Sequence, residues 1–238
     1  MDNQQYSPAG FRLLPPVVKN LLIINGLFFL ATISFQSAFG IDLKNLLGLH
    51  YFKSQYFQPY QLVTYMFLHE NFSHIFFNMF ALWMFGYLLE NIWGPKKFMI
   101  YYMVCGIGAA LVQLAINWWR FSSLETLVLS YSQSPDEYAH LNDIYQQVIN
   151  TTTIGASGAV FGILLAFGMM FPNMLVYFYF LVPIKAKWIV IGYGALELFS
   201  GISNNPSDNV AHFAHLGGML FGLILILIWK RRARHKYS

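Results

Sequence analysis

The sequence predicts an all-α polytopic membrane protein, a compact single-domain bundle of six transmembrane helices with both termini in the cytoplasm. Only 10% of the 238 residues are charged and 57% are hydrophobic, whereas about 25% of residues are charged in soluble domains. Apolar runs near the roughly 20 residues that a spanning helix needs also recur along the chain. We place the spans at residues 17–35, 72–89, 98–118, 154–171, 188–199 with flanks, and 210–229.

Two apolar stretches require separate treatment. Residues 174–182 lie between Pro172 and Pro183, and this run is too short for a helical span. Its Tyr and Phe residues indicate an extended or interfacial loop. The first span lacks the compact basic region and small-residue cleavage site of a signal peptide, so we expect it to remain in the protein.

Basic residues orient the six spans, because cytoplasmic loops are enriched in Lys and Arg. With the N-terminus inside, the outer segments carry only Lys44, Lys53 and Arg120. The inner segments carry the other basic residues: Arg12, Lys19, Lys96, Lys97, Lys185, Lys187, Lys230, Arg231, Arg232, Arg234 and Lys236. The net charge of +4 therefore indicates orientation and contact with anionic lipid, and it does not predict nucleic-acid binding.

This orientation divides the chain into a cytoplasmic tail (1–16), a membrane core (17–230) and a basic cytoplasmic tail (231–238). The core has two outer segments. Residues 36–71 are rich in aromatic residues and are expected to lie partly in the headgroup layer. Residues 120–150 are acidic and predicted to be solvated; His140 is expected at their surface.

The fourth predicted span begins with a serine among small residues. Ser157 is preceded by Gly155 and Ala156 and followed by Gly158, with Gly162 one turn later. Small residues allow another helix to approach closely, so one interpretation is a packing motif whose serine bonds to its own backbone. The other interpretation is a reactive serine, which needs a base within hydrogen-bonding distance.

The sixth span brings a histidine to the same predicted depth. Ser157 and His212 both lie near the outer ends of spans that run inward, and each has glycines nearby. On the second span, His74 and Asn78 are four residues apart and share one helix face. These two side chains are either donors to an oxyanion or interhelical hydrogen-bonding groups.

Together these motifs resemble the rhomboid family of intramembrane serine proteases. The similarity rests on His74-x-x-x-Asn78, Gly155-Ala-Ser157-Gly, and Ala211-His212 before a glycine-rich stretch. It implies Ser157 as nucleophile, His212 as general base and acid, and His74, Asn78 and the Ser157 amide as the oxyanion hole. It implies neither a cofactor nor a metal. The candidates for structural or supporting roles are Gly155, Gly158, Phe161, Gly86, Glu90, Gly94, His215 and Gly218.

The sequence departs from the family pattern at three places. Tyr60-Gln61 stands where many members have Trp-Arg, and Phe161 stands where many have tyrosine. His215 is a second histidine about 4.5 Å further along the helix than His212. That greater depth and the Ala211-His212 pairing favour His212 as the base.

The residue spacing argues against two other kinds of site, a zinc site and a catalytic triad. His69, Glu70 and His74 suggest zinc, but their spacing turns the two histidines about 140° apart on a helix. A catalytic triad is not supported by sequence, because Glu70 and Asp208 lie in loops and Glu197 has no sequence tie to His212. We expect Glu197 to pair with an interhelical hydroxyl or amide. The lone Cys105 is expected to pack in the core.

The alternative to a protease is a catalytically inactive rhomboid-like protein that binds transmembrane helices. A transporter is disfavoured, since the sequence shows no inverted repeat. For the protease, the expected partners are transmembrane protein substrates and membrane lipid, and the expected location is a bacterial inner membrane.

Overall fold

A computed structural model describes residues 10–178, 181–203 and 210–235 of the protein. Within these residues the chain is mostly helical. The predictions for residues 1–9 and 236–238 of the tails, for 179–180 and for Asp208 lie outside the described part. The elements in chain order are α1 (Pro16–Phe39), α2 (Leu43–Leu47), α3 (Gln61–Thr64), a 3-10 turn (Tyr65–Phe67), α4 (Phe72–Trp93), α5 (Pro95–Ser130), α6 (Pro135–Ile149), α7 (Ser157–Met170), β1 (Leu175–Phe178), β2 (Val182–Lys185), α8 (Ala186–Ser203) and α9 (His212–His235).

The prediction of an all-α polytopic membrane protein is confirmed. Among the described residues, α1, α4, α5 and α9 are long and apolar enough to cross a bilayer. The helix α7 is apolar but has only 14 residues. The helix α8 has 18 residues and includes Lys187 and Glu197.

The run at residues 174–182 is extended, as predicted, over Leu175–Phe178. Its first part forms β1, which pairs antiparallel with β2 in a two-stranded hairpin between α7 and α8. Leu175 pairs with Lys185, and Tyr177 pairs with Pro183. The hairpin is the one sheet among the described residues, and the other named elements there are helical.

The third helix is longer than the span predicted at residues 98–118. The helix α5 continues past Trp118 to Ser130, and α6 follows after a short turn, so most of the segment 120–150 is helical. No Gly or Pro interrupts residues 119–130, and such residues are the usual helix breakers. A small cluster of Tyr51, Val128, Tyr145 and Ile149 packs this extension against the first outer loop.

The short helix α7 lies at the centre of the bundle and contacts α4, α5, α8 and α9. Its glycines allow these close approaches. A Cβ on Gly218 of α9 would collide with the backbone carbonyl of Gly158, and a Cβ on Gly162 would collide with Cys105. Cys105 is completely buried, as predicted. Close contact between small residues thus fixes how α7 and α9 meet.

The first outer loop positions the chain that enters α7. Gln61 is buried, and its side chain accepts from the His50 and Gln58 amides and donates to the Leu46 and Tyr56 carbonyls. The loop is also paired with the segment just before α7, because the backbones of Leu49 and Thr153 exchange two hydrogen bonds of 2.9 Å. The loop is therefore a packed support for α7, although Tyr56 and Tyr60 stay about half exposed, at 44% and 45%.

The stripe of Gly86, Glu90 and Gly94 joins α4 to its neighbours. Gly86 leaves room for Phe98 and Val18. The Glu90 carboxylate is buried and accepts hydrogen bonds from the amides of Val17 (2.8 Å) and Val18 (2.7 Å). These amides open α1, where a carboxylate also interacts favourably with the helix dipole. Gly94 ends α4 with a positive φ of 78°, a conformation that favours glycine.

Candidate active site

Ser157 is the first residue of α7, three residues later than the start predicted from the apolar run. The delay comes from Gly155, whose φ of 130° is incompatible with a helix and strained for any other residue. The Gly155 amide donates to the Tyr65 carbonyl at 2.9 Å, which fixes this turn. The amide of Ser157 lies in the first turn of α7, where backbone N–H groups have no partner within the helix.

The Ser157 hydroxyl contacts a histidine on another helix. Its Oγ lies 2.7 Å from Nε2 of His215, a residue 58 positions away on α9. His215 is buried, and its ring stacks on Phe161 with ring centres 4.3 Å apart and planes 5° apart. The serine therefore takes part in an interhelical contact with an imidazole, which a purely self-bonded packing serine would not make.

His215, and not His212, is the histidine that the structure brings to Ser157. The prediction of His212 depends on depth counted from the outer ends of the two helices and on the Ala211-His212 pairing. The register is instead set where Gly218 packs on Gly158. His215 lies one turn before Gly218 and next to it on the same face of α9. His212 is one turn further out, and its Nδ1 lies 2.6 Å from Glu197 Oε2.

The sequence also contains a signal for His215. Ala214-His215 is also an Ala-His pair, and it is followed two residues later by Gly217-Gly218. Gly217 packs on Val112 and Ala109 of α5, and Gly218 packs on α7. A histidine directly before such contact glycines lies at a helix crossing, which is where a side chain can reach a neighbouring helix.

Glu197 of α8 lies between the two histidines, so its predicted pairing with a hydroxyl or amide is wrong. Its Oε2 is 2.6 Å from Nδ1 of His212 and 3.0 Å from Nδ1 of His215. The second contact is short, but it lacks the alignment of a hydrogen bond. Serine, imidazole and carboxylate thus follow one another across α7, α9 and α8. The sequence could not reveal this order, because no spacing ties Glu197 to α9.

His74 presents one ring nitrogen towards the serine. Its Nδ1 accepts a hydrogen bond of 3.2 Å from the Glu70 amide, so the neutral ring carries its proton on Nε2. That Nε2 would lie 2.9 Å from a Cβ on Gly155, and the Ser157 Oγ would lie 3.5 Å from the same point. An N–H donor and the serine oxygen therefore border one small space, which the absence of a side chain at Gly155 keeps open.

Asn78 follows one turn after His74 on the same face of α4 and is buried. Its Nδ2 donates to the His74 carbonyl at 2.8 Å, which leaves the second N–H of the amide for another acceptor. His69 packs edge-on against His74, with ring centres 5.0 Å apart. Burial lowers the pKa of His69 to about 3, so at neutral pH it adds no positive charge beside His74.

Side chains that can bind a metal ion lie together at a place that the sequence does not indicate. In the part of the chain that the structure describes, one group of three side chains could hold a metal ion, and its ligand atoms lie within 4.8 Å of one another. The group consists of Glu197, His212 and His215. The combination of His69, Glu70 and His74 does not form such a group among these residues.

Comparison with known proteins gives consistent matches. The sequence matches the Rhomboid domain family over residues 56–232. It is 25% identical over 224 residues to RHOMBOID-like protein 12, mitochondrial, of Arabidopsis thaliana, covering 93% of this chain and 60% of that protein. It is 24% identical over 180 residues to Putative rhomboid protease YdcA of Bacillus subtilis, covering 75% and 71%. It is 26% identical over 170 residues to Rhomboid protease AarA of Providencia stuartii, covering 69% and 53%.

Proposed function

Because the chain belongs to the rhomboid family, we propose that it is an intramembrane serine endopeptidase with Ser157 as nucleophile and His215 as general base. The observation that carries the proposal is the 2.7 Å contact between Ser157 Oγ and His215 Nε2. The two side chains come from different helices, and a base at this distance can take the hydroxyl proton.

The proposed reaction begins when Ser157 Oγ attacks a peptide carbonyl as its proton passes to His215 Nε2. The tetrahedral intermediate collapses when the imidazolium gives that proton to the leaving amine, which breaks the C–N bond. Water then hydrolyses the acyl-enzyme with His215 again acting as base. Glu197, 3.0 Å from the far nitrogen of the ring, favours a proton on Nδ1 and so leaves Nε2 free to accept one.

The oxyanion of the intermediate would form beside Gly155. The Nε2–H of His74 and the amide of Ser157 are the donors nearest to this space. The remaining N–H of Asn78 is the third proposed donor. Donors held in place before the reaction stabilise the developing charge without reorganisation. Phe161 would hold the His215 ring in its plane through the stacked contact.

We propose that the six helices α1, α4, α5, α7, α8 and α9 are the six spans, with both termini in the cytoplasm. With its 14 residues, α7 is about 21 Å long, whereas the apolar part of a bilayer is about 30 Å thick. If the inner end of α7 reaches the inner boundary, Ser157 lies about 9 Å below the outer one. Hydrolysis at this depth requires a water-filled cavity open to the outer side.

The proposed substrates are membrane proteins with a transmembrane segment near this depth. A peptide bond in a helix is shielded by its own turns, so the segment must unwind locally, which small or helix-breaking residues favour. A bacterial inner membrane remains the proposed location. The relatives include proteins named as mitochondrial as well as bacterial proteases, so the similarity alone does not select the membrane.

The test is cleavage of a single-span reporter by the purified chain in detergent or liposomes. We expect wild type to cut the reporter and Ser157→Ala to lose activity at least about 1000-fold. A matched control is Ser37→Ala, because Ser37 is exposed and, among the described residues, its hydroxyl bonds only to the carbonyls of Ile33 and Ser34 in its own helix. Equal cleavage by wild type and Ser157→Ala would overturn the proposal. Binding of the reporter without cleavage by wild type would favour the inactive, helix-binding alternative.

A further inference from the structure

The side chains behind the Ser157–His215 contact form a ready set of metal ligands. Glu197, His212 and His215 each offer one ligand atom, and these atoms lie within 4.8 Å of one another. Two imidazoles and a carboxylate are the protein ligands of many zinc sites that keep a fourth position open. The residues come from two helices, α8 and α9, whose backbones contact each other.

The distances are close to those of a coordinated zinc ion. Glu197 Oε2 lies 2.6 Å from Nδ1 of His212 and 3.0 Å from Nδ1 of His215. Zinc at about 2.0–2.1 Å from each ligand separates neighbouring ligands by about 3.3–3.4 Å in a tetrahedron. In each of these two pairs the ligand atoms would have to move apart by less than about 1 Å, which small rotations of the side chains can provide.

An independent feature of His215 points to a ligand at this place. His215 is only 8% exposed, and its Nδ1 is buried without a hydrogen-bond partner among the described residues. The nitrogen faces Glu197, but the angle is poor for a hydrogen bond. A metal ion between the two groups would take the place of a proton on Nδ1 and give this nitrogen a partner. The side chains of His212 and Glu197 keep exposures of 14% and 13%, which gives an ion a route to the site.

From this geometry we propose that Glu197, His212 and His215 bind Zn²⁺ and that the bound ion inhibits the protease. The inhibition rests on the proposed function, since it acts through the base. A neutral imidazole bound to metal through Nδ1 carries its one proton on Nε2. His215 Nε2 then donates to Ser157 Oγ and cannot take the serine proton. The ion thus changes the tautomer of the base without displacing the serine.

The binding test is titration of the purified, tag-free chain with Zn²⁺ in competition with a chromophoric chelator. We expect one ion per chain for wild type and for Ser157→Ala, which keeps all three ligands. His212→Ala and Glu197→Gln should each weaken binding at least about tenfold, as loss of one ligand removes a coordinate bond. The control is His140→Ala, because His140 is exposed on α6 and should leave the affinity unchanged.

Absence of zinc binding to wild type would overturn the site. So would a folded His212→Ala and a folded Glu197→Gln that both bind like wild type. Thermal unfolding of each variant establishes that it is folded before its affinity is compared.

The inhibition test is reporter cleavage by wild type over the same range of Zn²⁺. We expect the rate to fall at least about tenfold at saturation, with the midpoint at the dissociation constant measured by titration, and to recover on addition of EDTA. Binding with the predicted mutational pattern but an unchanged cleavage rate would overturn the inhibition. An inactive wild type would overturn the proposed function instead, and the binding titration on Ser157→Ala would still decide the metal site.

Discussion

At the scale of the residue, the proposed chemistry depends on which ring nitrogens carry protons. Glu197 lies beside Nδ1 of His215, and Ser157 lies beside Nε2 of the same ring. The Glu70 amide occupies Nδ1 of His74. The two rings therefore have different roles. His215 presents Nε2 to the serine as an acceptor, and His74 presents its Nε2–H to the space beside Gly155 as a donor.

The assignment of His74 to the oxyanion predicts a loss that falls mainly on kcat. His74→Ala should lower kcat by about 100- to 1000-fold with little change in KM, because the donor acts on charge that develops in the transition state. Steady-state cleavage of the reporter measures both constants, and His140→Ala is the matched histidine control. A loss confined to KM would contradict this role.

Phe161 predicts a separate effect, on the orientation of the base. Its ring stacks on His215 at 4.3 Å, and an aromatic pair contributes about 0.5–1.5 kcal/mol beyond its buried area. Phe161→Leu should therefore lower kcat by up to about tenfold, whereas Phe161→Tyr keeps the ring and should stay close to wild type. Equal rates for Phe161→Leu and wild type would show that the stacking does not orient His215.

At the scale of the element, the crossing of α7 and α9 decides which residues meet. The helices touch where Gly218 packs on Gly158, and a methyl group added to Gly218 would collide with the Gly158 backbone. The hydropathy pattern located both helices, but it could not fix their register. His212 and His215 differ by only about 4.5 Å along the helix axis, and the ends of an apolar run are no sharper than that. The register is fixed by the glycines at the contact, Gly158 and Gly218.

This crossing predicts a stability difference between two glycine substitutions. Gly218→Ala should cost about 1–3 kcal/mol by overpacking, which corresponds to a loss of roughly 2–12 °C in Tm for a chain of this size. Gly192→Ala on α8 is the matched control, because a Cβ there meets nothing within 4 Å, and it should leave Tm unchanged or slightly raised. Thermal unfolding in detergent compares the two, and equal Tm values would contradict the register described for α7 and α9.

At the scale of the whole molecule, the sequence predicts the membrane class and the location of the serine but not the full set of partners. Composition and apolar runs identify the long helices. Helix spacing places His74 and Asn78 on one face. Glu197 could not be assigned, because its contacts join α8 to α9 through side chains that share no motif. The extension of α5 beyond the apolar run could not be predicted either, since hydropathy shows where a helix leaves the apolar layer and not where the helix ends.

The most direct test of the central pairing is covalent labelling of the purified chain by a fluorophosphonate probe, which reacts only with an activated serine. We expect wild type to label and Ser157→Ala to remain unlabelled. His215→Ala should label at least about 100-fold more slowly. His212→Ala should lower the labelling rate by no more than about tenfold, because Nδ1 of His212 contacts Glu197 and it is His215 that contacts the serine. Rapid labelling of His215→Ala together with loss of labelling in His212→Ala would contradict the account.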